Sequence, residues 1–287
     1  AMPIDLDFVG SFVGRASAPA ERTWTEKDTL LYAVAVGAGH GDPAQELEFT
    51  TENSTVRHLV LPSFIAVAAR GDLPEGLTLD LSKILHADMG FELFADVPAE
   101  GRVLSTTHVD GIYDKGSGAL VSSSTDVVDA ETGEPIARLT SGTFVRGEGG
   151  FGGDRGPKDV WELPGREPDA VIRYETLAEQ GLIYRLTGDS NPLHSDPEFA
   201  RKAGYPAPIL HGMCTYGFTA RGLLHAVADS DPALFGGMYG RFTKPVQLGE
   251  TLEIQVWKTE GGGVFRTLDS KGDVVIDRGR VSLRGAS

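Results

Sequence analysis

Asp189 and His194 stand five positions apart in the stretch Gly188-Asp-Ser-Asn-Pro-Leu-His194, which also carries an amide at Asn191 and a proline at Pro192. An acid and an imidazole held on one rigid loop can grip a single water between them, as general acid-base addition of water to a double bond requires. The imidazole titrates near neutrality, and a neighbouring carboxylate tunes it. The same residues also make a turn. Gly188 permits positive φ, Pro192 biases Asn191 towards extended backbone, and Asp189 or Asn191 can form Asx-type bonds. Spacing alone leaves both readings open. Just beyond, Asp196 suits an N-cap, Pro197 the first helical position and Glu198 the first turn, so a helix is expected there.

The elements that hold this loop repeat along the chain. Leu30 to Gly39, LLYAVAVGAG, matches Gly181 to Ser190, GLIYRLTGDS, with Gly37 falling on Gly188. LVLPSFIAVAARG matches PILHGMCTYGFTARGLL, and both reach Ala-Arg-Gly. VVDAETGEPIARLTSGTFVRG resembles TLDSKGDVVIDRGRVSLRG, each a strand, a turn at Gly133 or Gly272, and a strand. Two copies of one α+β unit explain this order. GRVLSTTHVDGIYD, GALVSSSTDVVDA and PIARLTSGTFVRG are rich in Val, Thr and Ser, with glycine turns between them, and predict an antiparallel meander. SFIAVAARG and HGMCTYGFTARGLLHAVA read as helices, the second long and apolar on most faces, so a sheet should wrap it.

Between the copies, GEGGFGGDRGPKDVWELPGREP from Gly147 to Pro168 is dense in Gly, Pro and charge and has neither period. The expected division is residues 1–147, a linker over 148–168, and residues 169–287. The copies differ where chemistry is expected: Ala38 and Pro43 stand for Asp189 and His194, and Pro62-Ser63 for His211-Gly212.

The formal net charge of the 287 residues is -15 with no block of Lys and Arg, so nucleic acid and anionic membranes are poor partners. Cys214 is the single cysteine, which excludes an internal disulfide and a Cys-based zinc site and fits a reducing cytosol. Metal spacing such as H-x-x-x-H is missing, and no metal is expected. No apolar run is long enough for a transmembrane helix, and AMPIDLDFVG lacks the basic start of a signal peptide.

YRLTGDSNPLH followed by PILHGMCTYG resembles the motif pair of the (R)-specific 2-enoyl-CoA hydratases, the MaoC-like dehydratases of the hot-dog fold. HADMGFEL, YDKGSGAL and GRFTKPVQLGETL resemble segments of the two-repeat form, including the hydratase portion of peroxisomal multifunctional enzymes, so nearly the whole chain is covered. The resemblance implies an α+β double hot-dog, two repeats each with an antiparallel sheet wrapped round a long helix. It implies reversible hydration of a trans-2-enoyl-CoA to a (3R)-3-hydroxyacyl-CoA in fatty acid metabolism, without a cofactor, coenzyme A being part of the substrate. Asp189 and His194 would form the catalytic dyad. His86, Ala87, Lys115, Ser190, Asn191, Gly212 and Phe242 would bind the thioester.

Backbone N–H groups near His211 and Gly212 would meet the developing enolate oxygen. His211 itself either orients the loop or touches substrate. Coenzyme A is polyanionic, so Arg241, Lys244 and Lys115 are expected to form a basic rim, whereas Arg185, Arg201 and Lys202 read as surface or salt-bridge residues. The first repeat, lacking the dyad, would take the acyl chain, with Met89, Phe91 and Phe94 as candidate lining or ordinary core. A bacterial cytoplasmic enzyme is expected, with a homodimer allowed. The rival readings are a dehydratase of fatty acid elongation acting on a coenzyme A or carrier-protein thioester, a hot-dog thioesterase, and a non-catalytic acyl-binding module.

Overall fold

The computed structural model describes residues 2–53, 55 and 57–286. Ten strands form one antiparallel sheet: β1 (Ala20–Trp24), β2 (Ile84–Leu93), β3 (Gly101–Asp114), β4 (Gly118–Asp129), β5 (Pro135–Arg146), β6 (Ala170–Glu175), β7 (Phe235–Phe242), β8 (Thr251–Thr259), β9 (Gly262–Leu268) and β10 (Val274–Leu283). Their spatial order is β1-β3-β4-β5-β2-β7-β10-β9-β8-β6, the same arrangement read inwards from either edge. The halves meet where β2 pairs with β7, from Asp88 opposite Arg241 to Glu92 opposite Gly237. Across this seam the rings of Phe91 and Phe235 stack with centroids 5.9 Å apart.

The helices are α1 (Leu6–Phe12), α2 (Glu26–Ala35), α3 (Leu47–Thr50), α4 (Ile65–Ala68), α5 (Gln180–Tyr184), α6 (Pro197–Lys202) and α7 (Gly212–Val227). Every residue of α7 from Met213 to Leu224 is buried. That burial accounts for its apolar composition on most faces and makes it the axis of the main core, which draws side chains from both halves of the sheet. The sequence-predicted strands coincide with β3, β4 and β5, and Asp196 caps α6 by accepting from the Glu198 N–H at 2.9 Å.

This is the expected double hot-dog, with one asymmetry. The counterpart of α7 in the first half is a 3₁₀ turn, Pro62–Phe64, followed by the single turn α4. The chain then leaves towards the sheet edge, where the Ser105 hydroxyl donates to the Ala69 carbonyl at 2.7 Å. Residues along β2 alternate sides. Met89 and Phe91 are therefore core, while Phe94, just past the strand and 51% exposed, does not line the interior as expected.

The inter-repeat segment holds no helix or strand among the described residues, but it is tied down. The Asp114 carboxylate accepts from the Gly116, Gly150 and Gly152 N–H groups at 2.8–2.9 Å, which lowers its pKa to about 2. Further along, Trp161 Nε1 donates to the Gly279 carbonyl at 2.8 Å, and the Arg166 carbonyl accepts from Trp257 Nε1 at 2.8 Å. The segment is a strap running from the β3–β4 turn to β8. Among the described residues no helix is long and apolar enough to cross a membrane.

Candidate active site

Helix α5 ends in a 3₁₀ turn, Arg185–Thr187, closed by Gly188 at φ +127°, a conformation that L side chains rarely adopt. Its matched residue in the first repeat, Gly37, also has positive φ, +93°. From Gly188 the chain turns out and back. The Asp189 carboxylate accepts the Asn191 N–H at 3.2 Å, and the Asn191 side-chain oxygen accepts the Leu193 N–H at 3.0 Å, capping the turn Pro192–His194. Asp189, Ser190 and Asn191 are exposed, whereas His194 is buried.

His194 Nδ1–H donates to the Ile209 carbonyl at 2.8 Å, which fixes the tautomer and leaves the Nε2 lone pair free. The His211 ring stacks beneath it, with centroids 3.8 Å apart and planes 24° apart, and is backed by Tyr184 at 4.7 Å. His211 Nε2–H donates to the Asp189 carbonyl at 3.0 Å. His211 thus orients the loop, the first of the two roles open from sequence. Burial lowers the pKa of His194, and burial with the adjacent His194 lowers that of His211 to about 4, so both rings are neutral at pH 7. One side-chain atom from each of Asp189, His194 and His211 falls within 4.8 Å of the others.

Gly212 opens α7. The Cys214 and Thr215 N–H groups bond to the His211 carbonyl at 3.0 and 3.2 Å, leaving the Gly212 and Met213 N–H groups as first-turn donors without intrahelical acceptors. A Cβ at Gly212 would lie 3.4 Å from the Phe242 ring, and that ring lies 4.9 Å from His86. His86 sits beside a bulge: it pairs with Thr143 and Asp88 with Gly142, so Ala87 is the extra residue. His86 Nε2 is 3.2 Å from the Ser141 hydroxyl, and burial drops its pKa to about 3.

The structure therefore brings together Asp189, Asn191, His194, Gly212, Phe242, His86 and Ala87, with Ser190 on the exposed part of the loop. Lys115, in the β3–β4 turn, makes its contacts elsewhere: its ammonium donates to the Arg155 carbonyl of the strap and lies 5.8 Å from the Tyr113 ring centre. The other expected rim cations face carboxylates, Lys244 with Asp273 at 2.8 Å and Arg241 with Asp159 at 4.0 Å. Lys202 pairs with Glu198 at 3.1 Å, as read from sequence.

These features define a fused pair of hot-dog units in which the second repeat alone carries the polar loop. Residues 23–147 match the MFE-2 hydratase 2 N-terminal domain, and residues 159–278 the MaoC like domain. The chain is 44% identical to 3-hydroxyacyl-thioester dehydratase Y of Mycobacterium tuberculosis, over 94% of this chain and 96% of that protein. It is 41% identical to enoyl-CoA hydratase ChsH3 of the same organism, over 90% of each. A MaoC-like dehydratase from Phytophthora capsici superposes with a TM-score of 0.86 at 29% identity, covering 98% of both chains. The chain belongs to the MaoC-like hydratase and dehydratase family, in its two-repeat form with the hydratase 2 N-terminal domain.

Proposed function

We infer that this chain is a hydro-lyase that reversibly adds water to trans-2-enoyl-CoA, giving (3R)-3-hydroxyacyl-CoA in fatty acid metabolism. The observation that carries the reading is one loop presenting a carboxylate and a neutral imidazole beside the open N-terminus of α7, in a chain with the relatives just named. A water held between Asp189 and His194 Nε2 gives up a proton to this pair as its oxygen bonds to Cβ. The electrons of the double bond move towards the thioester, whose oxygen is met by the Gly212 N–H and the helix N-terminus. The pair then returns the proton to Cα. Water and the thioester alone balance the reaction, so no cofactor is called for.

His86, Ala87, Ser190, Asn191 and Phe242 complete the binding surface in this proposal, and Lys115 would exchange its bond to the Arg155 carbonyl for a phosphate of coenzyme A. Residues 1–147, whose counterpart of α7 is shortened to α4, take the acyl chain, and residues 169–287 supply the chemistry. Each chain carries its own site, alone or in a homodimer, in a bacterial cytoplasm. The similarity to dehydratase Y favours operation in the reverse direction as a second reading, with the same residues in the same roles.

Loss of the enoyl absorbance of crotonyl-CoA, with chiral analysis of the product, tests the reading. A 3S product, or release of free coenzyme A as a thioesterase would give, refutes it. The kcat/KM profile should be level above pH 6.5 and fall only below it, because burial holds the essential imidazole below its ordinary pKa. An acid limb centred at or above 6.5 would contradict that. Lys115→Ala should raise KM for coenzyme A thioesters several-fold with kcat nearly unchanged, since a phosphate contact serves ground and transition states alike. An unchanged KM at low ionic strength would remove Lys115 from the site.

A further inference from the structure

Both repeats contain Ala-Arg-Gly, as Ala69-Arg70-Gly71 just past α4 and Ala220-Arg221-Gly222 inside α7. The two tripeptides pack near corresponding strands of their own halves, through different atoms. Arg221 stacks over Tyr174 of β6 at 4.3 Å, and a Cβ on Gly222 would fall 2.8 Å from Ile254 of β8. In the other half β1 and β3 take the places of β6 and β8. The Arg70 carbonyl accepts from Arg22 Nε of β1 at 2.8 Å, and a Cβ on Gly71 would press on Thr107 of β3.

Their partners differ. Arg221, with a side chain 4% exposed, forks onto the Glu46 carboxylate at 2.5 and 3.2 Å and donates to the Val36 carbonyl at 2.9 Å. Val36 and Glu46 bracket the segment of the first repeat in which Ala38 and Pro43 replace the acid and the histidine. By the same symmetry Arg70 belongs to the intact loop from Gly188 to His194. Arg70 is exposed, its one side-chain hydrogen bond runs from Nε to the Ala66 carbonyl at 3.2 Å, and no carboxylate pairs with it among the described residues. Its charge reaches the site: after burial, it is the main influence holding down the pKa of His86, and it acts on Tyr184 beneath the dyad. At the defunct site an arginine is neutralised by the protein. At the intact site the equivalent arginine has no counter-charge.

We propose that Arg70 binds an oxyanion carried by the substrate, in the place that the Glu46 carboxylate fills beside Arg221. This rests on the reading of the chain as an acyl-CoA hydratase. The oxyanion is either a phosphate of coenzyme A or a carboxylate at the far end of the acyl chain, and a guanidinium recognises both by the same forked pair of hydrogen bonds.

The full chain and its Arg70→Gln variant should be compared on three thioesters: crotonyl-CoA, crotonyl-pantetheine, which has no phosphate, and the mono-CoA thioester of trans-2-hexenedioic acid. If the phosphate is bound, KM rises about 10- to 100-fold for both coenzyme A thioesters and stays constant for crotonyl-pantetheine. If a distal carboxylate is bound, only the hexenedioyl thioester suffers. Arg70→Lys should keep part of the affinity, because it keeps the charge and loses the fork. Equal effects on all three substrates, effects confined to kcat, or no effect on any would overturn the proposal. Should the wild type hydrate none of them, the hydratase reading falls. Calorimetric titration of coenzyme A and of the hexenedioyl thioester into both proteins then decides for Arg70, and equal affinities in wild type and variant reject it.

Discussion

Asp189→Asn and His194→Gln each lower kcat for crotonyl-CoA hydration by about 10²- to 10⁴-fold, the usual weight of a positioned acid-base group, with little change in KM. Asp189 is exposed, and its backbone carbonyl, which anchors the loop to His211 Nε2, survives the substitution, so that variant should melt like the wild type. His194→Gln removes a buried ring stacked on His211, so its circular dichroism must be recorded beside its rate. Because the two groups handle one proton, the double variant should be little slower than the slower single one. Near-normal turnover by either folded single variant removes the pair from the chemistry, and full additivity in the double variant removes the shared water.

Arg221→Met destabilises the fold by about 3–5 kcal/mol, because it leaves the Glu46 carboxylate, 13% exposed, with only His225 Nε2 at 3.0 Å to meet it. Burial alone would raise the Glu46 pKa, but the bonds from His225 and Arg221 outweigh it and bring it down to about 2. Unfolded, the carboxyl binds its proton near 4.5, so this stabilisation is complete above pH 4.5 and is lost as the pH falls towards 2. Urea midpoints measured from pH 7 to pH 3 should decline steeply in the wild type across the lower part of that range and less so in Arg221→Met. Replacing Glu46 by Leu in the same chain should recover much of the loss, since an apolar pair of similar bulk needs no counter-charge. Midpoints that are equal at pH 7 in wild type and Arg221→Met would show that the pair contributes nothing.

The repeat, the meander and the loop could be read before the structure because each is a local pattern. Glycine turns bound β3, β4 and β5, Asp196 and Pro197 announce α6, and the positive φ at Gly37 and Gly188 bears out their alignment. What sequence did not reveal depends on residues far apart. The helix expected over SFIAVAARG has apolar residues throughout, but whether it extends past one turn depends on how its end docks on β3. Phe94 was misplaced because alternation with Met89, Phe91 and Leu93 inward puts position 94 on the outer face with the exposed Glu92. Within the candidate site, His211 was ambiguous because its bond crosses 22 residues to Asp189. The contact of Glu46 with Arg221 spans 175 residues, and no spacing rule announces it.

The strap and the β2–β7 seam have a bearing on how the two repeats came to differ. Two identical units meeting across such a seam receive every substitution twice, so a change that opens room for an acyl chain in one also removes the acid and the histidine from the other. Once a strap from the β3–β4 turn to β8 makes the pair a single chain, each half mutates by itself, and its neighbour is always present at high effective concentration. On that reading, proline at position 43 costs no activity so long as position 194 keeps its imidazole. On the proposed reading, duplication with a tether releases one copy from catalysis, and a second reaction centre is exchanged for space.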